Sequence, residues 1–344
     1  MMVMKKLFLP FLLLLLIACS KDRHISHPAH FQTEVLLKHT PVKDQGKSDL
    51  SWIYAMLATI ETERLMLGDS VHLSPEYVGR MFLIEQAEQR FLTRGKQHIS
   101  TRGMGMTVLG LLERYGVLSY DSYRVSRGAN FKSIARRLSL MTDASWSHGG
   151  ELKKLHADIE DMLDNDISPA PRFVFMYSCE YTPVQFAQSV CKRSDYKSFT
   201  SFSHQSFGQP FVLDTPENFY KDSLTNVPLD SLMALMEGSI RAGHAVYWEG
   251  DTTNDGYSFE EGIACLEKES EMVTQAMRQK AFDASHISND HSLAMIGLAI
   301  DENGNRYFIC KDSHGIKNPY RGLVYMSFNY ARLNTVSITL LIEN

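Results

Sequence analysis

Three side chains have the types that work together in one kind of acyl-transfer chemistry, namely Ser51, His291 and Asp312. In that chemistry an imidazole removes the proton of an attacking serine hydroxyl, and a carboxylate stabilises the imidazolium that forms. The residue types therefore permit a Ser51–His291–Asp312 triad if the fold brings the three together.

Two kinds of element must position these side chains. From Ser51 onward, apolar residues recur at three- and four-residue steps, which predicts a helix with Ser51 at its N-terminus. The free N–H groups and the dipole at that end favour negative charge. His291 begins an apolar run that passes through an Asn303-Gly304 turn to a second run ending near Asp312, which predicts a β-hairpin.

The remaining pattern is helical early in the chain and rich in strands late. Ser74 followed by Pro75 predicts a helix start, and Gly116 predicts a helix end. Residues 147–165 predict a charged surface helix. Further strands are predicted in FVFMY (173–177), LVYMSFNYA (323–331) and VSITLLI (336–342). This order of elements predicts an α+β chain.

Three segments around the candidate catalytic residues resemble papain-like cysteine peptidases, specifically the bleomycin hydrolase and aminopeptidase C branch. They are Pro41-Val42-Lys43-Asp44-Gln45-Gly46 with Ser51-Trp52, then Asn289-Asp290-His291-Ser292-Leu293-Ala294-Met295, then Lys311-Asp312-Ser313-His314-Gly315. Shorter matches lie at 73–77, 113–117, 226–230 and 243–248, and at Asp251. The resemblance runs from about residue 40 to the end. It implies a two-lobed papain-like fold with a helical N-terminal lobe, an antiparallel β C-terminal lobe and a cleft between them.

The resemblance also implies a role for each matched position. Gln45 stands at the family's oxyanion-hole glutamine and His291 at its general base. Ser51 stands where the family has its nucleophilic cysteine, and Asp312 where it has the asparagine that orients the histidine. The substrate cleft is expected to include Asp49, Trp52, Arg102, Gly103, Asp290 and His314.

Several departures from the family pattern oppose efficient cleavage. A serine hydroxyl cannot be held ionised at neutral pH as a thiol can, so Ser51 depends on proton removal during attack. A site spaced for sulfur misplaces an oxygen, and an error of about 1 Å can cost about 100-fold. His314 replaces a sheltering tryptophan, while Asp49 and Arg102 replace glycines, and Asp49 adds negative charge beside the oxyanion. Asp312, in contrast, suits a serine mechanism because a carboxylate stabilises an imidazolium.

The first residues predict export and lipidation. A basic head and an apolar run too short to span a bilayer predict a signal peptide over 1–18, and the residues up to Cys19 resemble a bacterial lipobox. We therefore expect a lipid on Cys19, a tether over 19–40 and a papain-like domain over 41–344, held at a membrane of the bacterial cell envelope on an undetermined face. A plain signal peptide with a chance cysteine is the alternative.

The composition argues against several other classes. The formal net charge is -5 and the pI is about 6.2, without the basic stripe of a nucleic-acid-binding protein. Neither a cofactor nor a metal is expected, because no cysteine has a CxxC partner and His24, His27 and His30 of the tether lack fixed geometry. Cys179 and Cys191 form the nearest cysteine pair, but their spacing leaves the pairing open.

Three hypotheses follow for the function. The first is an envelope lipoprotein whose cleft binds peptides or a partner protein without efficient cleavage. The second is an active peptidase that uses Ser51, His291 and Asp312, with Gln45 in the oxyanion hole. The third is a structural interaction module with a closed cleft.

Overall fold

The computed structural model describes residues 30–124, 129–176, 178–284 and 288–342. The helices are α1 Ser51–Met66, α2 Pro75–Leu92, α3 Gly105–Tyr115, α4 Phe131–Ser147, α5 Leu152–Asp166, α6 Pro183–Val190, α7 Leu229–Ala242, α8 Gln275–Asp283 and α9 Phe328–Asn334. The strands are β1 Phe31–Leu36, β2 Val174–Met176, β3 Cys179–Tyr181, β4 Tyr196–Thr200, β5 Pro210–Val212, β6 Ser223–Asn226, β7 Val246–Gly250, β8 Tyr257–Ser258, β9 Ile263–Ala264, β10 His291–Asp301, β11 Arg306–Lys311, β12 Leu323–Ser327 and β13 Thr335–Leu341.

Local signals set several of these boundaries. Ser74 caps α2 by accepting a hydrogen bond from the Tyr77 backbone N–H, and Pro75 occupies the first helical position. Gly116 ends α3 with a φ of +79°, in the left-handed region that favours glycine. Gly304 likewise has a φ of +80° in the turn between β10 and β11, as a tight hairpin requires. These boundaries confirm the sequence predictions for α2, α3 and the hairpin.

One large sheet carries the C-terminal half of the chain. Its strand order is β5-β6-β4-β13-β7-β10-β11-β12-β9-β8, and β1 also pairs with β10. Most pairs are antiparallel, as expected, but β4–β6 and β9–β12 are parallel. The central strands β10 and β13 are buried along nearly their whole length, so the sheet is covered on both faces there.

The two largest of five apolar clusters among the described residues correspond to two lobes. One core is formed mainly by α1 to α6, and the other lies between α7, α9 and the sheet. The N-terminal helix α1 joins them, because Ala58 on α1 packs with Ala294 and Ile296 of β10. Small side chains at this contact let the helix approach the sheet closely, which places the N-terminus of α1 beside the start of β10.

The structure corrects some of the sequence predictions. The segment Phe31–Leu36, which the sequence analysis placed in the tether over 19–40, forms β1 and pairs with β10. The single helix predicted over 147–165 is in fact α5, which starts at Leu152, and the preceding helix α4 was missed. The predicted strand 323–331 ends at Ser327, where the Ser327 hydroxyl caps α9. Pairing with β10 adds Phe31–Leu36 to the sheet, and the Ser327 cap ends the strand at 327, so a tertiary contact and a cap override the local pattern at these two places.

The predicted signal peptide and Cys19 lie outside the described residues. Across the part of the chain that the structure describes, no helix has the length and apolar character needed to cross a membrane. The four cysteines after Cys19 are all free thiols, so the question of a Cys179–Cys191 bridge is answered in the negative.

Candidate functional site at the α1–β10 junction

Ser51 occupies the first helical position of α1. Leu50 is the N-cap residue and its side chain makes no capping hydrogen bond, so Ser51 is not itself the cap. The first N–H groups of a helix lack partners within the helix, so this end suits a developing negative charge. Ser51 is only 6% exposed. Among the described residues, its hydroxyl has no hydrogen bond, including to His291.

His291 and Asp312 are joined as the sequence predicted. The His291 Nε2 atom lies 2.9 Å from Asp312 Oδ1, and both side chains are buried. His291 begins β10 and Asp312 directly follows β11, so the hairpin register brings them together. Because Nε2 is turned to the carboxylate, the other ring nitrogen, Nδ1, is the one left for a reacting group.

Asp312 is held as a carboxylate by several donors. Its Oδ1 atom also accepts from the Ser313 backbone N–H at 2.5 Å, and its Oδ2 atom accepts from the Tyr257 hydroxyl. Burial alone would raise the pKa of Asp312, but the charge of and hydrogen bonds with His291 and His314 hold this pKa well below its usual range. The carboxylate is therefore ionised at any pH at which the protein would work.

A second imidazole shares that carboxylate. His314 Nδ1 lies 3.0 Å from the same Oδ1 atom of Asp312, and the His314 and His291 ring centroids are 5.0 Å apart. Burial tends to lower the pKa of His314, but the hydrogen bond and charge of Asp312 raise it on balance. When His314 is protonated, its positive charge opposes formation of an imidazolium at His291. The sequence analysis interpreted His314 only as the loss of a sheltering tryptophan. In the structure, His314 competes directly with His291 for the Asp312 carboxylate.

Gln45 lies against His314. The Gln45 backbone N–H donates to the Ser313 carbonyl at 2.7 Å, and this contact ties the loop before α1 to the segment after β11. The Gln45 Nε2 atom is 3.4 Å from His314 Nε2, while Gln45 Oε1 is buried with no hydrogen-bond partner among the described residues. The amide predicted for the oxyanion hole therefore has a competing partner in His314.

Trp52 and Gly103 form one wall beside Ser51. The Trp52 indole N–H donates to the Thr101 carbonyl at 2.8 Å, and the ring is 2% exposed. A Cβ atom added to Gly103 would lie 2.8 Å from the Trp52 ring, so glycine is required there. Arg102 is exposed, and its backbone N–H donates to the Ser100 hydroxyl. The loop predicted to border the cleft is thus docked on Trp52, next to the candidate nucleophile.

Asp49 and Asp290 have partners of their own. Asp49 adopts a φ of +56°, and its carboxylate pairs with Lys132 of α4 at 2.6 Å. This ion pair balances the negative charge that the sequence analysis placed beside the oxyanion. Asp290 accepts from the backbone N–H and hydroxyl of Thr252 at 2.9 and 3.1 Å, which fixes the residue just before His291.

Sequence reasoning missed a buried carboxyl next to the candidate base. Glu249 of β7 lies opposite Ser292, the neighbour of His291, and is fully buried. It accepts from the Tyr247 hydroxyl at 2.6 Å and from the Ser337 hydroxyl, and Tyr247 also contacts Ser292 at 3.0 Å. Burial raises the pKa of Glu249 to about 7. The only sequence signal was a lone glutamate within an apolar strand.

Glu249 predicts a pH-dependent stability. Its pKa is higher in the folded state (about 7) than the ordinary value of 4.5, so the folded state binds more protons across that window. Its contribution is therefore most favourable below about pH 4.5 and falls by about 3 kcal/mol as the pH rises through about 7. Glu249→Gln removes this pH-dependent contribution to stability. The free energy of unfolding of the variant, relative to that of the wild type, should therefore increase as the pH rises over that range.

Urea unfolding of both proteins at several pH values measures that difference. Glu113→Gln, at an exposed position on α3, is the matched control and should leave it constant. A Glu249→Gln difference that does not change with pH would show that Glu249 titrates as an ordinary carboxyl.

A second buried cluster lies behind the site and was also missed. Glu61 of α1 is fully buried and pairs with Lys43 at 2.5 Å. It also accepts from the Leu73 backbone N–H at 2.7 Å and from the Thr40 hydroxyl, to which Lys311 donates at 2.7 Å. The cluster connects α1 with the loop that carries Gln45 and with the end of β11. Lys43 lies two residues before Gln45, and Lys311 directly precedes Asp312.

Comparison with known proteins identifies the architecture. No family model and no curated protein matches the sequence. Among solved structures, PepW from Lactobacillus rhamnosis superposes with a TM-score of 0.71 at 14% identity, covering 90% of this chain and 82% of that chain. The bromelain protease from Ananas comosus, in complex with the E64 inhibitor, matches with a TM-score of 0.42 at 14% identity, covering 89% and 94%. The chain has a papain-like α+β fold, as the sequence predicted.

Proposed function

We propose that this protein is a lipid-anchored papain-fold peptidase homologue of the cell envelope whose cleft binds peptides or a partner protein without efficient cleavage. The proposal combines the fold, the predicted lipobox at Cys19 and the arrangement at the α1–β10 junction. The substrate or partner is taken to be a peptide segment because the cleft residues match those of peptidases and the chain lacks a basic face for nucleic acid.

One observation carries the proposal, namely the division of Asp312 between two imidazoles. In a serine triad the carboxylate stabilises the imidazolium of the base, and a second protonated imidazole on the same carboxylate opposes that imidazolium. Here His314 takes the same oxygen of Asp312 at 3.0 Å that His291 takes at 2.9 Å. In addition, the Ser51 hydroxyl has no hydrogen bond to His291 among the described residues. Asp312 therefore stabilises the imidazolium form of His291 less well, and the Ser51 hydroxyl is not positioned to give His291 its proton.

The position of the N-terminal strand bears on where the predicted tether joins the domain. Phe31 of β1 pairs with Asp301, ten residues along β10 from His291. At about 3.3 Å per strand residue, the chain enters the domain about 33 Å from the candidate base. A tether attached at Phe31 therefore joins the domain at the end of the strand opposite to His291.

The alternative is a functioning serine peptidase with Ser51 as nucleophile, His291 as base, Asp312 as its partner and Gln45 in the oxyanion hole. The 2.9 Å contact between His291 and Asp312 specifically favours it. Catalytic hydrogen bonds are often long before substrate binds, so an unengaged Ser51 is compatible with this alternative.

Peptide binding and turnover by the full chain, purified in detergent, distinguish the two. We expect fluorescently labelled peptides from a mixed library to bind wild type and Ser51→Ala equally, with turnover no higher in the wild type than in Ser51→Ala or His291→Ala. Turnover about 100-fold above both variants would establish the serine peptidase instead. Absence of both binding and turnover would leave only the closed-cleft interaction module.

A further inference from the structure

Three potential metal ligands converge at the candidate site. His291, Asp312 and His314 each offer one ligand atom, and these atoms lie within 4.8 Å of one another. Two of the separations are already short, because Asp312 Oδ1 lies 2.9 Å from His291 Nε2 and 3.0 Å from His314 Nδ1. Two imidazoles and one carboxylate form a donor set that suits Zn²⁺ and leaves a coordination position open.

The adjustment needed to accept an ion is small. With metal–ligand bonds of about 2.0–2.2 Å, ligand atoms of a tetrahedral site lie about 3.3–3.5 Å apart. The carboxylate must withdraw slightly from both rings while the two rings approach each other. The His314 side chain is 39% exposed, whereas the side chains of His291 and Asp312 are only 7% and 0% exposed. His314 can therefore supply most of the approach between the two rings, while the 2.9 Å separation of Asp312 Oδ1 from His291 Nε2 must also widen.

Outer contacts suited to a metal site surround these ligands. Metal-bound carboxylates and imidazoles usually have a hydrogen-bond partner on their other polar atom. The Tyr257 hydroxyl donates to Asp312 Oδ2, and the Ser313 backbone N–H donates to Oδ1, which keeps a second lone pair for the ion. An ion on His314 Nδ1 requires the proton to sit on His314 Nε2, which then needs an acceptor.

Gln45 offers that acceptor. Its Oε1 atom is buried without a partner among the described residues, and Gln45 is only 9% exposed. The amide approaches His314 Nε2 at 3.4 Å, with Nε2 of Gln45 facing it. Oxygen and nitrogen of an amide exchange places by a half rotation of the group. That rotation would present the orphaned oxygen to the His314 N–H and satisfy both groups.

We propose that His291, Asp312 and His314 bind one divalent transition-metal ion, with Zn²⁺ the favoured occupant. The two departures from the papain-like pattern at this hairpin, aspartate for asparagine and histidine for tryptophan, supply two of the three ligands. The sequence analysis expected no metal, because it considered only the cysteines and the histidines of the tether as ligands. The proposal goes beyond peptide binding and holds whether or not the cleft binds a peptide.

An ion at this position also changes the chemistry of the site. It replaces the His291–Asp312 hydrogen bond with two bonds to the metal, which removes the carboxylate partner that a serine mechanism needs from His291. Bound zinc would therefore oppose any turnover through Ser51.

Titration of the metal-stripped full chain in detergent with Zn²⁺ and with Co²⁺ tests the proposal. We expect one ion per chain by calorimetry, with visible d–d absorption of four-coordinate Co²⁺ and no thiolate charge-transfer band. His314→Ala and Asp312→Ala should each weaken binding by at least about 100-fold, because loss even of an outer contact costs 10- to 100-fold. His314→Trp is a second variant with a bulky residue at the same position, and thermal unfolding in chelator confirms that each variant is folded.

Two controls separate this site from other histidines. A chain with His24, His27 and His30 all replaced by Ala should retain the stoichiometric ion, as should His148→Ala at an exposed position on the end of α4. Loss of the ion in the tail variant would overturn the proposal and place the metal in the tether. Equal affinity in wild type and folded His314→Ala, or no saturable binding at all, would overturn it as well.

Discussion

Replacing Ser51 with cysteine is expected to raise peptide turnover about 100-fold above that of the wild type. A thiol at a helix N-terminus beside an imidazole ionises readily, so attack no longer requires proton removal in the same step. The longer carbon–sulfur bond also reaches further toward His291, to which the serine hydroxyl makes no hydrogen bond among the described residues. Fluorogenic peptide cleavage by the metal-free full chain measures the gain, and treatment with iodoacetamide should abolish it.

Matched variants show whether that gain uses the proposed site. Ser51→Cys combined with His291→Ala should return to the background of Ser51→Ala. The native thiols are poor competitors, because burial raises the pKa of Cys191 and of Cys265 to about 12. Cys179 is exposed and is replaced by serine in every protein compared.

A silent Ser51→Cys variant would be equally informative. If its new thiol is alkylated no faster than free cysteine in solution, His291 does not assist ionisation at position 51. The competition of His314 for Asp312 would then be the cause, and Ser51→Cys with His314→Trp should recover the activity. If the double variant is silent too, the prediction for Ser51→Cys is wrong, and more of the cleft has diverged than position 51 and the hairpin.

Glu61→Ala is expected to lower the free energy of unfolding by about 3–5 kcal/mol, since removal of one partner leaves a buried charge uncompensated. The partners are Lys43 at 2.5 Å and Lys311 at 4.0 Å, and Lys311 is almost as buried as Glu61. Burial alone would raise the pKa of Glu61, yet the charges of the two lysines lower it. Burial lowers the pKa of Lys311 to about 8. Urea unfolding at neutral pH measures the loss.

A triple replacement separates the loss of the charge balance from loss of packing. Methionine at positions 43, 61 and 311 removes all three charges with similar volume, and much of the lost stability should return. Glu88→Ala, whose carboxylate pairs with His156 at the surface, is the control and should cost at most about 1 kcal/mol. A loss below about 1 kcal/mol for Glu61→Ala would show that water reaches the cluster and screens it.

This cluster also bears on the candidate site. Lys43 lies two residues before Gln45, and Lys311 directly precedes Asp312. The buried charges thus fix the loop that carries Gln45, and the end of β11, against α1. We expect Glu61→Ala to loosen the site as well as the fold, which is why it is unsuitable as a test of catalysis.

The sequence by itself determined the α+β class, the helix that begins at Ser51, the cap at Ser74 and the hairpin from His291 to Lys311. These depend on local periodicity, on capping side chains and on a Gly304 turn, and each is legible within a few residues. Through its resemblance to papain-like peptidases, the sequence also predicted the pairing of His291 with Asp312, 21 residues apart. The lipid on Cys19 and the roles of Gln45 and Ser51 remain predictions.

Only the tertiary structure decided which groups compete for which partners. The sequence had no means of showing that Asp312 would be shared by His291 and His314, or that Gln45 would lie against His314. It also gave no sign that Phe31–Leu36 joins the sheet, or that Glu61 and Glu249 would be buried beside the site. Whether two side chains form a hydrogen bond depends on differences of a few tenths of an ångström in the distance between elements far apart in the chain. Residue type and spacing do not encode these distances. The fold is therefore a property of local patterns, whereas the chemistry of the site is set by the packing of α1 against the hairpin.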